Sequence, residues 1–88
     1  MLYAIVDIET TGGQAADNGI TEIAVVIHDG SKVINFYESL VNPHFPIPYF
    51  IQRLTGIDNN MVANAPSFEE IAGQVFELLR TKYLLRTM

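Results

Sequence analysis

With 88 residues the chain has room for one small domain, and its 49% hydrophobic content excludes a disordered chain. A net charge of −5 argues against a generally basic surface for nucleic acid, and the absence of cysteine excludes disulfides, thiolate metal sites and cysteine nucleophiles. No apolar run approaches the roughly 20 residues of a membrane span, and "MLYAIVDI" carries no basic leader, so a soluble, cytoplasmic chain with no membrane partner is expected.

The charge is unevenly placed. Residues 1 to 79 hold all ten acids with only Lys32 and Arg53 as cations, whereas residues 80 to 88 add Arg80, Lys82 and Arg86 and no acid. The plainest account of that basic tail is a solvated helix end that complements the helix dipole.

"LYAIVDIE" (residues 2–9) is rich in β-formers and apolar at nearly every position, which predicts a central strand covered on both faces. "GITEIAVVIHDG" and "SKVINFYESLV" predict two more strands. They are joined at Asp29-Gly30, a dipeptide that favours a type I′ hairpin with φ > 0 at both residues. "NPHFPIP" holds three of the four prolines and predicts a loop. Pro48 suits a first helical position, Phe50, Ile51 and Leu54 share a side, and Gly56 suits the left-handed residue that ends a helix. Asp58 can cap a short turn of "NNMVANA". Ser67 and Glu70 predict a capping box for an amphipathic helix carrying Phe68, Ile71, Ala72, Val75, Phe76 and Leu79. "LLRTKYLLRTM" either continues that helix or turns into a strand-like tail.

Asp7 and Glu9, at i and i+2 of a strand, point to one face with Cα atoms roughly 7 Å apart. Hard oxygen donors so placed suit Mg²⁺ or Mn²⁺, although a bare Asp-x-Glu more often marks where a strand leaves the core. If strands 1 and 2 pair antiparallel, Asp7 falls opposite Glu22, to within about two residues. Like charges so placed destabilise a sheet, so Glu22 either meets a donor, joins a cation site or faces solvent. His28 belongs at the far end of strand 2, and His44 lies about two strand spacings from the acids.

"DIETTG", "ITEIAVV" and "LVNPHFPIPYFIQRLTGIDNNMVANAPSFEEI" resemble, in order and spacing, the N-terminal half of the DnaQ-like (DEDD) 3′→5′ exonucleases. That family includes the proofreading epsilon subunit of bacterial DNA polymerase III. The resemblance spans about residues 2 to 79. It implies a ribonuclease H-like α/β fold, here truncated to a three-stranded antiparallel sheet, order 3-2-1, followed by two or three helices. It also implies Asp7 and Glu9 as catalytic and metal-binding acids for two divalent ions, Mg²⁺ or Mn²⁺. Thr10, Thr11 and Gly12 would lie beside the 3′-terminal nucleotide, Leu54, Thr55, Gly56 and Ile57 would pack near it, and Glu22 would support the acids.

The family's second and third motifs, which carry two more Asp residues and a His or Tyr, have no counterpart here. Residues 1–88 therefore correspond to the N-terminal half of one exonuclease domain. His28, His44 and Tyr83 do not fit as replacements. The implied function is 3′→5′ hydrolysis of single-stranded DNA or RNA ends, or an inactive fragment of such an enzyme with weakly bound metal. A DNA polymerase subunit is an implied partner. The alternative is a non-catalytic interaction or metal-binding module. A phosphotransfer domain with Asp7 as nucleophile fits less well, because the second acid is Glu and no suitable Lys is placed. An open edge on strand 1 predicts self-association through it, or packing of residues 80–88 into the vacant place.

Overall fold

A computed structural model of the chain describes residues 1–12 and 19–86. Among these residues four strands and three helices follow one another as β1 (Tyr3–Thr10), β2 (Ile20–His28), β3 (Val33–Leu40), α1 (Tyr49–Thr55), α2 (Asn59–Val62), α3 (Phe68–Leu79) and β4 (Tyr83–Arg86). The sheet order is β3-β2-β1-β4, with β1–β2 and β2–β3 antiparallel and β4 parallel to β1.

The three antiparallel strands stand in the expected order, and the tail adds a fourth. Residues 83–86 pair with Tyr3–Val6, starting where the Tyr83 amide donates to the Leu2 carbonyl at 2.9 Å. This is the second of the two expected outcomes for the β1 edge. Along Tyr3–Val6 that edge is not open, so self-association through it would require β4 to leave. The basic tail is also not a helix end: α3 stops at Leu79, Arg80 is extended, and Thr81 has φ 62°. Arg80 makes an exposed 3.4 Å ion pair with Glu77.

Period-2 alternation places the core. On β2 the side chains of Thr21, Ile23, Val25 and Ile27 are buried, while Glu22, Ala24, Val26 and His28 are partly exposed. Ile23, Val25 and Ile27 of this row, with Ala4 and Val41, pack against Ile71 and Val75 of α3. β1 departs from the predicted cover on both faces: Ala4 is fully buried, yet Asp7 and Ile8 are exposed. Phe76 is likewise exposed, so the apolar stripe on α3 is wider than the sheet it covers.

A second cluster joins Ile47, Ile51, Ile57 and Val62, with Leu40 and Ala65 against it. Leu40 pairs directly with Glu22 and so shares its side of the sheet. Helices α1 and α2 are thus anchored toward the face opposite α3.

Local chemistry explains the helix ends. Gly56 ends α1 with φ 78°, Asp58 Oδ1 accepts from the Met61 amide at 2.8 Å, and Ser67 with Glu70 completes the capping box. Pro48 is the N-cap residue rather than the first helical one. The hairpin differs more. The β2–β3 loop is Asp29–Lys32, and only Gly30 has positive φ, at 100°. Asp29 Oδ1 accepts from the amides of Ser31 and Lys32 at 2.8 and 2.9 Å, an Asx-type arrangement that replaces the type I′ turn.

Candidate functional site

Asp7 and Glu9 occupy the C-terminal half of β1, on the face turned away from α3. Glu9 pairs with Glu22 across β2, and Glu22 pairs in turn with Leu40 on β3. One row toward the strand's start, Asp7 pairs with Ala24 and Ala24 with Glu38. The residue opposite Glu22 is therefore Glu9 rather than Asp7, two residues from the expected register. A β-bulge between Glu9 and Thr10 then re-aims the chain as it leaves the sheet.

Among the described residues four carboxylates, those of Asp7, Glu9, Glu22 and Glu38, share this face in a staggered pattern. Their field is legible at Glu22, whose carboxyl is pushed above its ordinary 4.5, first by burial and then by the negative charges of Glu38, Glu9 and Asp7. Glu22 thus has like-charged neighbours rather than a donor that would lower it. Asp7 and Glu9 offer hard oxygen donors of the type that suits a divalent cation, but only as part of a shell. Among the described residues no group of three or more His, Cys, Asp or Glu is placed to hold a metal ion.

The turn after the acids is built tightly. The Thr11 amide donates to the Gly19 carbonyl at 2.9 Å, and the Gly19 amide donates back to Thr11 Oγ1 at 3.0 Å. These bonds close the base of the loop, whose residues 13–18 lie outside the described ones. Thr11 is buried, so its hydroxyl faces the loop base rather than a cleft. Thr10 and Gly12 are partly exposed, and the Gly12 amide donates to Thr10 Oγ1 at 3.2 Å. A Cβ on Gly12, whose φ is 74°, would stand 3.1 Å from Ile51 Cδ1. A Cβ on Gly19 would stand 2.8 Å from that of Pro43, so the loop base also leans on the segment leading to α1.

Ile51 thus brings α1 against the turn. Leu54 projects into solvent, 79% exposed. Thr55 donates its hydroxyl to the Ile51 carbonyl at 2.9 Å and accepts from the Ile57 amide at 3.2 Å, while Ile57 is buried. Gly56 supplies the left-handed ending between them. His28 and His44 take no part. His28 pairs with Tyr3 at the other end of β1, and its Nδ1 accepts from the Gly30 amide. His44 lines a small cleft with Gly19, Phe68 and Glu69, close enough to Glu70 to contribute to its lowered carboxyl, after the hydrogen bonds from Ser67.

Two contributors were not singled out from the sequence. Glu38 needs the β2–β3 register before it can be placed on the acidic face. Ile51 shares a side of the predicted helix with Phe50 and Leu54, and nothing in that spacing tells that its partner is Gly12.

Residues 4–87 match the sequence model of the exonuclease family RNase_T. The chain is 36% identical over 78 residues to the 3′-5′ exonuclease DinG of Staphylococcus aureus (strain USA300), covering 89% of this chain and 9% of that protein. It resembles solved Exonuclease X in complex with 5′-overhanging duplex DNA, with a TM-score of 0.74 and 34% identity over 83% of this chain and 42% of that one. The nuclease domain of 3′hExo, a DEDDh family member bound to rAMP, gives a TM-score of 0.79 at 23% identity, covering 97% of this chain and half of that one (50%), which bears on the fold alone. The chain spans half or less of each of these relatives.

Proposed function

Since the chain belongs to the DnaQ-like 3′→5′ exonuclease superfamily, with its ribonuclease H-like fold, we propose that residues 1–88 act as the N-terminal half of one exonuclease domain. That domain would shorten single-stranded DNA or RNA from the 3′ end. The observation that carries this reading is the placement of Asp7 and Glu9, side by side on one face of β1, immediately before a turn held under α1.

Asp7 and Glu9 would hold Mg²⁺ or Mn²⁺, two ions in the complete domain. Such ions neutralise a phosphodiester and lower the pKa of water near it. The chain's own residues do the positioning. The carboxylates repel the diester unless a cation intervenes, so they admit the scissile phosphate only together with metal. Thr10 and Gly12 form one side of the bed for the terminal nucleotide, and Leu54, Thr55 and Gly56 the other. Thr11 contributes by closing the loop base through its amide and hydroxyl. Glu22 supports the acids by adding negative charge that favours cation binding. Hydrolysis places water on the terminal phosphorus and expels the 3′ oxygen of the preceding nucleotide.

A proofreading role beside a DNA polymerase subunit, in the cytoplasm, is the narrower form of this proposal, and the resemblance to the polymerase III epsilon subunit is its support. The test is incubation of the chain with 5′-labelled single-stranded DNA and RNA and either ion. Stepwise shortening from the 3′ end, lost with chelator and in Asp7→Ala, is expected.

A second reading has its own observation. Among the described residues no third ligand joins the two acids, which favours a weak ion-binding or interaction module without turnover. It predicts Mn²⁺ binding that depends on Asp7 and no shortening of any strand. In either case, self-association through the β1 edge would follow displacement of β4.

A further inference from the structure

The outer face of α1 is the other feature of this end of the molecule. Ile51 faces inward against Gly12; Tyr49 and Arg53 lie on the opposite side of the helix, and Phe50 and Leu54, expected on the same side as Ile51, flank it and stay exposed. Tyr49 and Phe50 are 71% and 70% exposed, and Arg53 is exposed as well. The Arg53 guanidinium lies 6.0 Å from the centroid of the Tyr49 ring, a cation–π pair at i, i+4 on a solvent-facing surface.

Charge suits this surface to a polyanion, as it does residues 80–86, whose strand β4 lies along Tyr3–Val6 rather than beside Gly12. The chain carries ten acids against five cations, and a polyanion is repelled by most of it. From Ser39 to Ile57 there is no carboxylate at all, and Arg53 is the cation within that window. Lys32, the remaining cation before residue 80, sits in the β2–β3 loop beyond His28, at the opposite end of β2 from Glu22. The acid-free window is also anchored next to the site, through Ile51 on Gly12 and through the cluster that packs on Leu40, directly across from Glu22.

We propose that Tyr49 and Arg53 form a stacking platform for the bases on the 5′ side of the terminal nucleotide of a single strand. The proposal rests on the exonuclease reading and adds the path of the strand away from the acids. A base has an apolar π-face and a charged backbone. An exposed aromatic ring paired with a guanidinium in an acid-free window meets both requirements, without sequence preference. Phe50 and Leu54 extend the apolar surface toward the terminal nucleotide's bed.

The test is fluorescence anisotropy of the 88-residue chain with 5′-labelled (dT)8, (rU)8 and (dT)2, with Ca²⁺ as the divalent ion. The wild-type chain should bind both eight-mers more tightly than (dT)2, with an affinity that falls as salt rises. Tyr49→Ala and Arg53→Gln should each weaken eight-mer binding about tenfold and leave (dT)2 binding unchanged. Tyr49→Phe keeps the ring and should retain most of the affinity, and Lys32→Gln should bind as wild type. Thermal melts should show every variant folded, because both side chains are exposed.

Eight-mer binding unchanged in Tyr49→Ala and Arg53→Gln would overturn the platform and leave the exonuclease reading standing. So would a loss of chain self-association, rather than of oligonucleotide binding, in those variants. Platform-dependent binding with no shortening of any strand by any divalent ion would instead sink the catalytic reading alone. A wild-type chain that binds no eight-mer would remove both.

Discussion

Ile51 Cδ1 stands 3.1 Å from the point that a side chain on Gly12 would occupy, so the turn after the paired acids and the helix carrying Leu54 are packed against each other. Sequence neighbours of Asp7 thereby meet residues some 40 positions later, and in the proposed function the two form the sides of one nucleotide bed. Gly12→Ala tests that contact. Its φ of 74° and the close Ile51 contact together should cost about 1–3 kcal/mol. Urea denaturation reads the loss directly, and unchanged stability would mean that α1 is free to shift.

Glu22 predicts how the acidic face responds to pH. Its carboxyl is raised above 4.5 by burial first and by Glu38, Glu9 and Asp7 after it, so folding favours the protonated form. Its contribution to stability is therefore fully present below about 4.5 and lost as pH rises through the raised value. Glu22→Gln removes that dependence. The variant should melt higher than wild type at pH 7, with the difference vanishing well below 4.5. A lower melting temperature at pH 7 would mean that Glu22 has a favourable partner instead.

The capping box of α3 is the cheapest test of the fold. Ser67 Oγ accepts from the Glu70 amide at 3.3 Å, and the Ser67 amide donates to Glu70 Oε1 at 3.0 Å. Ser67→Ala should cost about 1 kcal/mol, which for a domain of this size lowers the melting temperature by about 4–8 °C. A melt indistinguishable from wild type would place the helix start elsewhere.

Removing residues 83–88 uncovers the backbone of Tyr3–Val6. The truncated chain should self-associate in sedimentation while the full chain does so less, because an apolar central strand then has an unpaired edge. Equal behaviour of the two would mean that β4 does not protect that edge.

Much of this architecture was legible in the residues, for physical reasons that differ by element. β2 is rich in β-branched residues, so its strand character was legible while its strict alternation of buried and half-buried side chains was not, and the caps at Gly56, Asp58 and Ser67 follow from the backbone groups that each satisfies. Asp7 and Glu9 on one face needed only strand geometry. What escaped were facts of register and of competition. Asp29-Gly30 favours a two-residue turn in isolation, but the Asp29 carboxylate captures the amides of Ser31 and Lys32 and a four-residue loop results. The Glu9–Glu22 pairing, and with it the place of Glu38, is set by where the strands slide together. The tail's fate hung on Thr81, whose left-handed φ of 62° turns the chain back along β1, and nothing local to a threonine announces that.

In the proposed function Asp7 and Glu9 together hold a divalent cation on the face of the sheet turned away from α3. A titration with Mn²⁺, followed by the paramagnetic resonance signal of the free ion, tests it most directly. Weak binding by the wild-type chain, abolished by Asp7→Ala and by Glu9→Ala, is expected. Binding that survives in both variants, or no binding by the wild type, would contradict it.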